Sequence, residues 1–181
     1  MTALIVVDVQ RAFDDPSWGQ RNNPDAESNV ERLLAAWRAA EMPVVHVRHR
    51  STGADGLFVP GRAAYEFKRE AMPLAGEPVV TKNVNSAFIG TDLEERLRTA
   101  EISDVVICGL TTDHCVSTTV RMAGNLGFDT TVVSDATATF DRIGPDGRTW
   151  SAADLHHATL ASLHGEFATV LATGEVLRRR S

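Results

Sequence analysis

Cys115 is the residue in this chain best placed to do nucleophilic chemistry. It lies in Gly109-Leu110-Thr111-Thr112-Asp113-His114-Cys115-Val116, between the apolar run Val105-Val106-Ile107-Cys108 and a helical pattern carrying Val116, Val120, Ala123 and Leu126. A thiol between a buried strand and a helix is exposed at a sheet edge and faces the helix's free N–H groups and positive dipole end. Both favour thiolate over thiol. Two other groups occupy equivalent places. Asp8 ends the apolar run Ala3-Leu4-Ile5-Val6-Val7, and Lys82 ends Val79-Val80-Thr81. A lone carboxylate or ammonium at the end of a buried strand needs a partner or a task. Helix capping and snorkelling are the plain structural readings for each alone. Together, the three predict a thiol nucleophile, a lysine that stabilises negative charge, and a carboxylate that shuttles a proton. The backbone N–H groups of the 110–115 turn are placed to bind an oxyanion. This combination suits acyl transfer at an amide through a thioester.

The elements that must position these groups follow from periodicity. Residues 3–9 read as a first strand, buried on both faces. Residues 26–40 read as a helix, with Val30, Leu33, Leu34 and Trp37 in one stripe. Residues 44–49 read as a second strand, and a short helix is expected near 61–70. Residues 77–82 read as the third strand, ending at Lys82. Thr91-Asp92-Leu93-Glu94 reads as a capping box opening a helix to about Ala100. Strands are expected at 104–109, 129–134 and 166–172, with a loop over 135–150 and a helix from Ser151 to about His164. Six alternations without a linker predict a single domain over residues 1–181. The expected class is α/β, a Rossmann-like doubly wound sheet of six mostly parallel strands with helices on both faces. Active groups belong at the carboxyl ends of such strands.

Several function classes are disfavoured. The net charge is −6, with charges interspersed, which argues against a nucleic-acid surface. No stretch approaches the roughly 18 apolar residues of a membrane span. The apolar N-terminus lacks the basic leading segment and cleavage pattern of a signal peptide. Two cysteines are too few for a disulfide framework, and a cytoplasmic protein is the plain expectation. Cys108, inside its strand, reads as an inert core residue. His46 and His49 are three apart on a strand and point to opposite faces, so no metal site is expected. No Gly-x-Gly-x-x-Gly follows the first strand, which disfavours a dinucleotide. No cofactor is expected.

The pocket is harder to read. Phe13 and Trp18 stand in a polar loop, as a pocket wall or as a lid on the core. His49 falls at a strand's carboxyl end. Phe88 and His114 are further candidates, with Gln10 as a polar contact. Phe58 or Trp150 could come from a neighbouring subunit. His156, His157 and His164, on the last predicted helix, read as surface or interface residues.

Asp8-Val9-Gln10, Lys82 followed by Ser86-Ala87-Phe88, the Gly109–Val116 stretch and Gly127-Phe128 together resemble the isochorismatase-like cysteine hydrolase superfamily. That superfamily includes nicotinamidase and N-carbamoylsarcosine amidohydrolase. The resemblance spans nearly the whole chain, with its motifs in family order. It implies strand order 3-2-1-4-5-6 and a homo-oligomer, commonly a dimer or tetramer. It also implies an Asp8, Lys82, Cys115 triad and a cis peptide between Leu110 and Thr111. The oxyanion would be bound by the N–H groups of Thr111 and Cys115. The Asp-x-His metal site of the nicotinamidase branch is replaced here by Val47-Arg48-His49-Arg50-Ser51. The vinyl-ether-cleaving isochorismatases lack the nucleophilic cysteine that stands here. The resemblance therefore implies a metal-independent cysteine amidohydrolase acting on a small amide, ureido or lactam-type substrate. Two alternatives stand beside it: vinyl ether hydrolysis with Asp8 as the acid, and a small-molecule binding module that retains the fold alone.

Overall fold

A computed structural model describes residues 1–53 and 55–179. Its centre is the first apolar run, β1 (Thr2–Val7), whose alternate residues face two separate cores. Ala3, Ile5 and Val7 point to one side, against α2 (Leu93–Thr99), α3 (Ser117–Asn125) and α4 (Ala152–Leu163). Leu4 and Val6 point to the other, against α1 (Ala26–Ala39) and α5 (Thr173–Arg178). A strand covered on both faces has no polar alternation to show, hence its uninterrupted apolar sequence. The α1 stripe is buried as its spacing predicts, with Trp37 and Leu33 fully enclosed.

The remaining strands are β2 (Val44–His49), β3 (Val79–Lys82), β4 (Asp104–Leu110), β5 (Asp129–Ala138), the two-residue β6 (Arg142–Ile143) and β7 (Thr149–Trp150), and β8 (Thr169–Leu171). Six of them form one sheet in the order β3-β2-β1-β4-β5-β8, parallel throughout. This is the expected doubly wound order, β8 being the sixth strand of the sheet because a small antiparallel hairpin, β6-β7, precedes it. No helix among the described residues is long and apolar enough to cross a membrane.

The local departures have physical reasons. The first strand ends at Val7 rather than residue 9, because Asp8 takes φ 52° and turns the chain out of the sheet. The expected helix near 61–70 is instead two single 3₁₀ turns, Ala63–Tyr65 and Arg69–Ala71. Residues 77 and 78 lie outside β3. No capping box forms at α2, which begins after Asp92. Thr91 instead donates its hydroxyl to the Ala87 carbonyl and accepts from the Leu93 N–H, tying the preceding loop to the helix. Strand β5 runs four residues past its expected end, and the 135–150 loop contains the hairpin. The sixth strand is shorter than 166–172, and α5 follows it where no helix was expected. Ser151 caps α4 as predicted, accepting the Asp154 N–H at 3.1 Å.

One glycine is required by the architecture. Gly109 has φ 119°, and a Cβ there would lie 2.0 Å from the Val7 carbonyl oxygen. The strand thus passes β1 more closely than any side chain allows, next to a register irregularity between Ile107 and Gly109. The chain then enters the Leu110–Thr111 peptide, which is cis.

Candidate active site

Each functional candidate is delivered by the end of a buried element. Asp8 follows β1, and its left-handed backbone, tolerated by Asp better than by most residues, turns its side chain over the sheet's carboxyl edge. Its amide donates to the Val47 carbonyl at 2.9 Å, fixing that turn to β2. Lys82 is the last residue of β3 and is 1% exposed. Cys115 stands in a widened π turn, Thr112–Val116, in which the Val116 N–H reaches back to the Thr111 carbonyl at 3.2 Å. This turn leads directly into α3.

The Lys82 ammonium is held by Asp8, Val84 and His49, and it also interacts with the Cys115 side chain. It lies 2.6 Å from Asp8 Oδ2, donates to the Val84 carbonyl at 3.1 Å, and sits 3.3 Å from His49 Nδ1. An ammonium has three hydrogens and no lone pair, so His49 Nδ1 must be the acceptor and the imidazole neutral. Burial, then the Lys82 charge, hold the His49 pKa down to about 4. The lysine is therefore fully committed inside the protein.

The Cys115 sulfur, the Asp8 carboxylate and a His49 ring nitrogen lie within 4.8 Å of one another. The sulfur is also 3.9 Å from Asn85 Oδ1. Burial, followed by the Asp8 charge, pushes the Cys115 thiol up to about 12, with Lys82 opposing. This corrects the expectation that the helix end and lysine leave a thiolate. The lysine charge is largely taken up by Asp8, so the resting group is a neutral thiol beside its base. The Asp8 carboxyl is raised above its ordinary value by burial, against the pull of Lys82. A carboxylate so shifted accepts a proton more readily than one in water. Cys108 is fully buried, and burial alone raises its thiol far above the ordinary range.

Asp8, His49 and Cys115 are also a donor set of the kind zinc accepts. A cation there would have to displace the Lys82 ammonium, which already touches both Asp8 and His49. The arrangement is built around that internal cation.

The group opens into a cavity of about 160 Å³ lined by Asp8, Phe13, Trp18, His49, Phe58, Asn85, Thr111, His114 and Cys115. Phe13, Trp18, His49 and His114 are where the sequence places them. The two aromatics serve as wall and lid together: Phe13 packs 5.1 Å from Trp18 and 6.1 Å from Phe140. Trp18 is anchored by an indole hydrogen bond to the Ala12 carbonyl at 2.8 Å. His114 is half exposed, 3.4 Å from an Arg142 nitrogen, and burial holds its pKa below the ordinary value.

Two sequence candidates have other tasks. Gln10 is fully buried and does not line the cavity. Its amide accepts from the His49 N–H at 2.8 Å and donates to the Tyr65 and His49 carbonyls at 2.8 and 3.2 Å. It latches the loop after β1 to the end of β2. Phe88 also lies outside the cavity, stacked 5.9 Å from Phe128 against the core. One further cavity residue, Asn85, was missed, and another, Phe58, was assigned to the wrong chain. Phe58 was expected from a neighbouring subunit, but its ring packs within this chain, 5.2 Å from both Phe13 and His49. Asn85, three residues past Lys82, could have been found by the same strand-end argument. Trp150 lies in the hairpin and does not line the cavity. His157 and His164 are exposed as expected, whereas His156 is buried.

Residues 2–175 match the isochorismatase domain family. The chain belongs to the isochorismatase family. It is 50% identical to the uncharacterized isochorismatase family protein YrdC of Bacillus subtilis, over 97% of this chain and 94% of that one. It superposes on an isochorismatase-family crystal structure from Chromobacterium violaceum with a TM-score of 0.96 and 44% identity, covering 98% and 92% of the two chains. Relatives named for an activity include Nicotinamidase 3 of Arabidopsis thaliana, 31% identical over 93% of this chain and 83% of that one. A streptothricin hydrolase of Streptomyces noursei is 35% identical over 77% of this chain and 50% of its own length. The family is hydrolytic, and the chain is an isochorismatase-family hydrolase.

Proposed function

We propose that this protein is a cysteine-dependent amidohydrolase acting on a small, uncharged amide, ureide or lactam. The observation that carries the reading is that Asp8 and Cys115, from beyond the ends of two separate strands, face one small cavity, with Lys82 from the end of a third bound to Asp8 behind it.

In this reading the neutral Cys115 thiol gives its proton to Asp8 as the sulfur attacks the carbonyl carbon. The carbonyl oxygen takes up negative charge, bound by the N–H groups of Thr111 and Cys115. Asp8, now a buried acid, returns the proton to the departing nitrogen as the C–N bond breaks. The remaining thioester is attacked by water, whose proton passes to Asp8 and then back to sulfur. Lys82 holds Asp8 in place and keeps enough positive charge nearby for the thiolate to form during attack. Proton transfer of this kind contributes about 10²–10⁴ in rate.

The cavity limits the substrate. About 160 Å³ is well below the roughly 300–1,000 Å³ of pockets for drug-sized ligands. Its walls are aromatic, its histidines tend to the neutral form, no lysine or arginine is among its described lining residues, and Lys82 behind it is held by Asp8, Val84 and His49. A dianion such as isochorismate would find no uncommitted cation among the described lining residues. The similarity to proteins named nicotinamidase and streptothricin hydrolase supports C–N cleavage as the reaction. The raised Asp8 pKa is what a vinyl-ether hydrolysis would require of its acid, so that reading remains the rival.

A panel of compact amides, ureides and lactams, assayed for ammonia release or ring opening, tests the proposal. Turnover by the wild type and none by Cys115→Ala is expected. Turnover that survives in Cys115→Ala would favour the acid-only rival. A wild type that binds panel members without product would favour a binding module.

A further inference from the structure

His156 lies outside the cavity, yet it is 4% exposed and touches the turn that carries Cys115. Its Nδ1 is 2.8 Å from the hydroxyl of Thr112, itself fully buried. Its Nε2 lies 3.4 Å from Asn23 Nδ2, and the ring also interacts with the Ser134 backbone. The tautomer follows from counting hydrogens. Asn23 Nδ2 has two, and both are directed at carbonyls, of Ser134 at 2.9 Å and Thr137 at 2.7 Å. None is left for His156, so Nε2 carries its own hydrogen and Nδ1 accepts from Thr112.

We infer that His156 is a positioning residue for the oxyanion turn, holding Thr112 through its Nδ1 so that the flanking amides of Thr111 and Cys115 keep their place. This rests on the hydrolase reading above. The next residue is anchored independently. Asp113 accepts from Thr139 and, at 2.9 Å, from Arg142 Nε. Two consecutive side chains thus pin the turn, one to α4 and one to the segment after β5. The ring cannot act as a proton carrier for the substrate, because the turn stands between it and the cavity. It faces a separate hollow of about 530 Å³ on the far side, lined in part by Asn23, Asp135 and Leu160. A neutral ring suits a permanent acceptor, and burial, with the neighbouring His157, keeps its pKa near 4. Displacement of a catalytic group by about 1 Å can cost on the order of 100-fold in rate. Loss of one oxyanion donor costs about 10²–10³.

The test compares His156→Phe, which keeps a ring but has no acceptor, with His156→Gln, whose amide can both accept from Thr112 and donate to Ser134. On a substrate turned over by the wild type, His156→Phe should lower kcat about 10- to 100-fold. KM should change less than about threefold, and the pH–rate profile should keep its shape. Iodoacetamide should alkylate Cys115 at a rate within about twofold of wild type, because the charges around sulfur are untouched. His156→Gln should recover most of the loss. Thr112→Val should match the His156→Phe defect, and the double variant should lose little more. Amide hydrogen exchange supplies a readout that needs no substrate. The 111–116 segment should exchange at least about tenfold faster in His156→Phe, α1 should not change, and His156→Gln should restore protection. Unaltered exchange in 111–116, or unaltered kcat in a folded His156→Phe protein, would overturn the inference. So would losses that simply add in the double variant. A wild type inert on every compound tested would instead count against the hydrolase reading, and exchange would still decide the role of His156.

Discussion

Replacing Asp8 by asparagine should move two properties of Cys115 in opposite directions. The carboxylate, within 4.8 Å of the sulfur, opposes formation of a second negative charge. Two unit charges at that separation interact by about 3.5 kcal/mol at an effective dielectric constant near 20. That is about 2.5 pKa units for the thiol. Asparagine removes this repulsion and leaves the Lys82 ammonium without its counterion, so the Cys115 pKa falls from its position near 12. At pH 7.5 the thiolate population rises about 300-fold. A less basic thiolate is also a weaker nucleophile, by roughly 10-fold for this shift. Iodoacetamide alkylation at Cys115 should therefore be about 20- to 30-fold faster in Asp8→Asn than in wild type. Hydrolysis should fall by about 10²–10⁴, because no group takes and returns the proton. Peptide-resolved alkylation rates and kcat/KM on one substrate give both quantities. Alkylation that is unchanged or slower would refute the electrostatic reasoning, and hydrolysis that is retained would refute the shuttle.

Gly109→Ala should cost about 3 kcal/mol or more, read as a lowered denaturant midpoint or loss of soluble protein, since its Cβ would meet the Val7 carbonyl at 2.0 Å. Phe58→Ala should raise kcat/KM for an amide one or two carbons bulkier, relative to a compact one, by about tenfold or more. Phe88→Leu, altering a side chain stacked on Phe128 outside the cavity, should leave that ratio unchanged. Acid should destabilise the fold in part through His156. Its folded pKa of about 4 lies below the ordinary 6.5, so the unfolded chain binds the proton first as pH falls. The stability associated with the neutral ring is complete above pH 6.5 and declines toward pH 4, by up to about 3 kcal/mol. Thermal melts at pH 7 and 4.5 should show a smaller loss of Tm in His156→Gln than in wild type.

The sheet was legible because a buried parallel strand leaves an unbroken apolar run, and two such runs lead into charged residues while the turn after a third carries the cysteine. Asp8, Lys82 and Cys115 were found in that way. Gln10 and Phe88 were misassigned for a shared reason: a residue near a strand end can turn either toward the cavity or toward the scaffold. Gln10 bonds three backbone groups of the scaffold, and Phe88 packs on Phe128. Phe58 sits in a long polar loop whose path depends on contacts with Phe13 and His49, distant in sequence. His156 lies on α4 beside His157, with His164 just past the helix end, and nothing local marks the one that turns inward. The thiol's protonation state was misread because the helix end and the lysine were weighed without the desolvation that accompanies a closed cavity. That burial, and the carboxylate that takes up the lysine's charge, are properties of the assembled site.

The most direct test of a covalent thioester is intact-mass spectrometry of the enzyme quenched in acid during turnover of an active amide. The account predicts a mass increase equal to the acyl group, carried on the Cys115 peptide, released by hydroxylamine and absent from Cys115→Ala. Product formation with no adduct at any time point, together with turnover by Cys115→Ala, would contradict it.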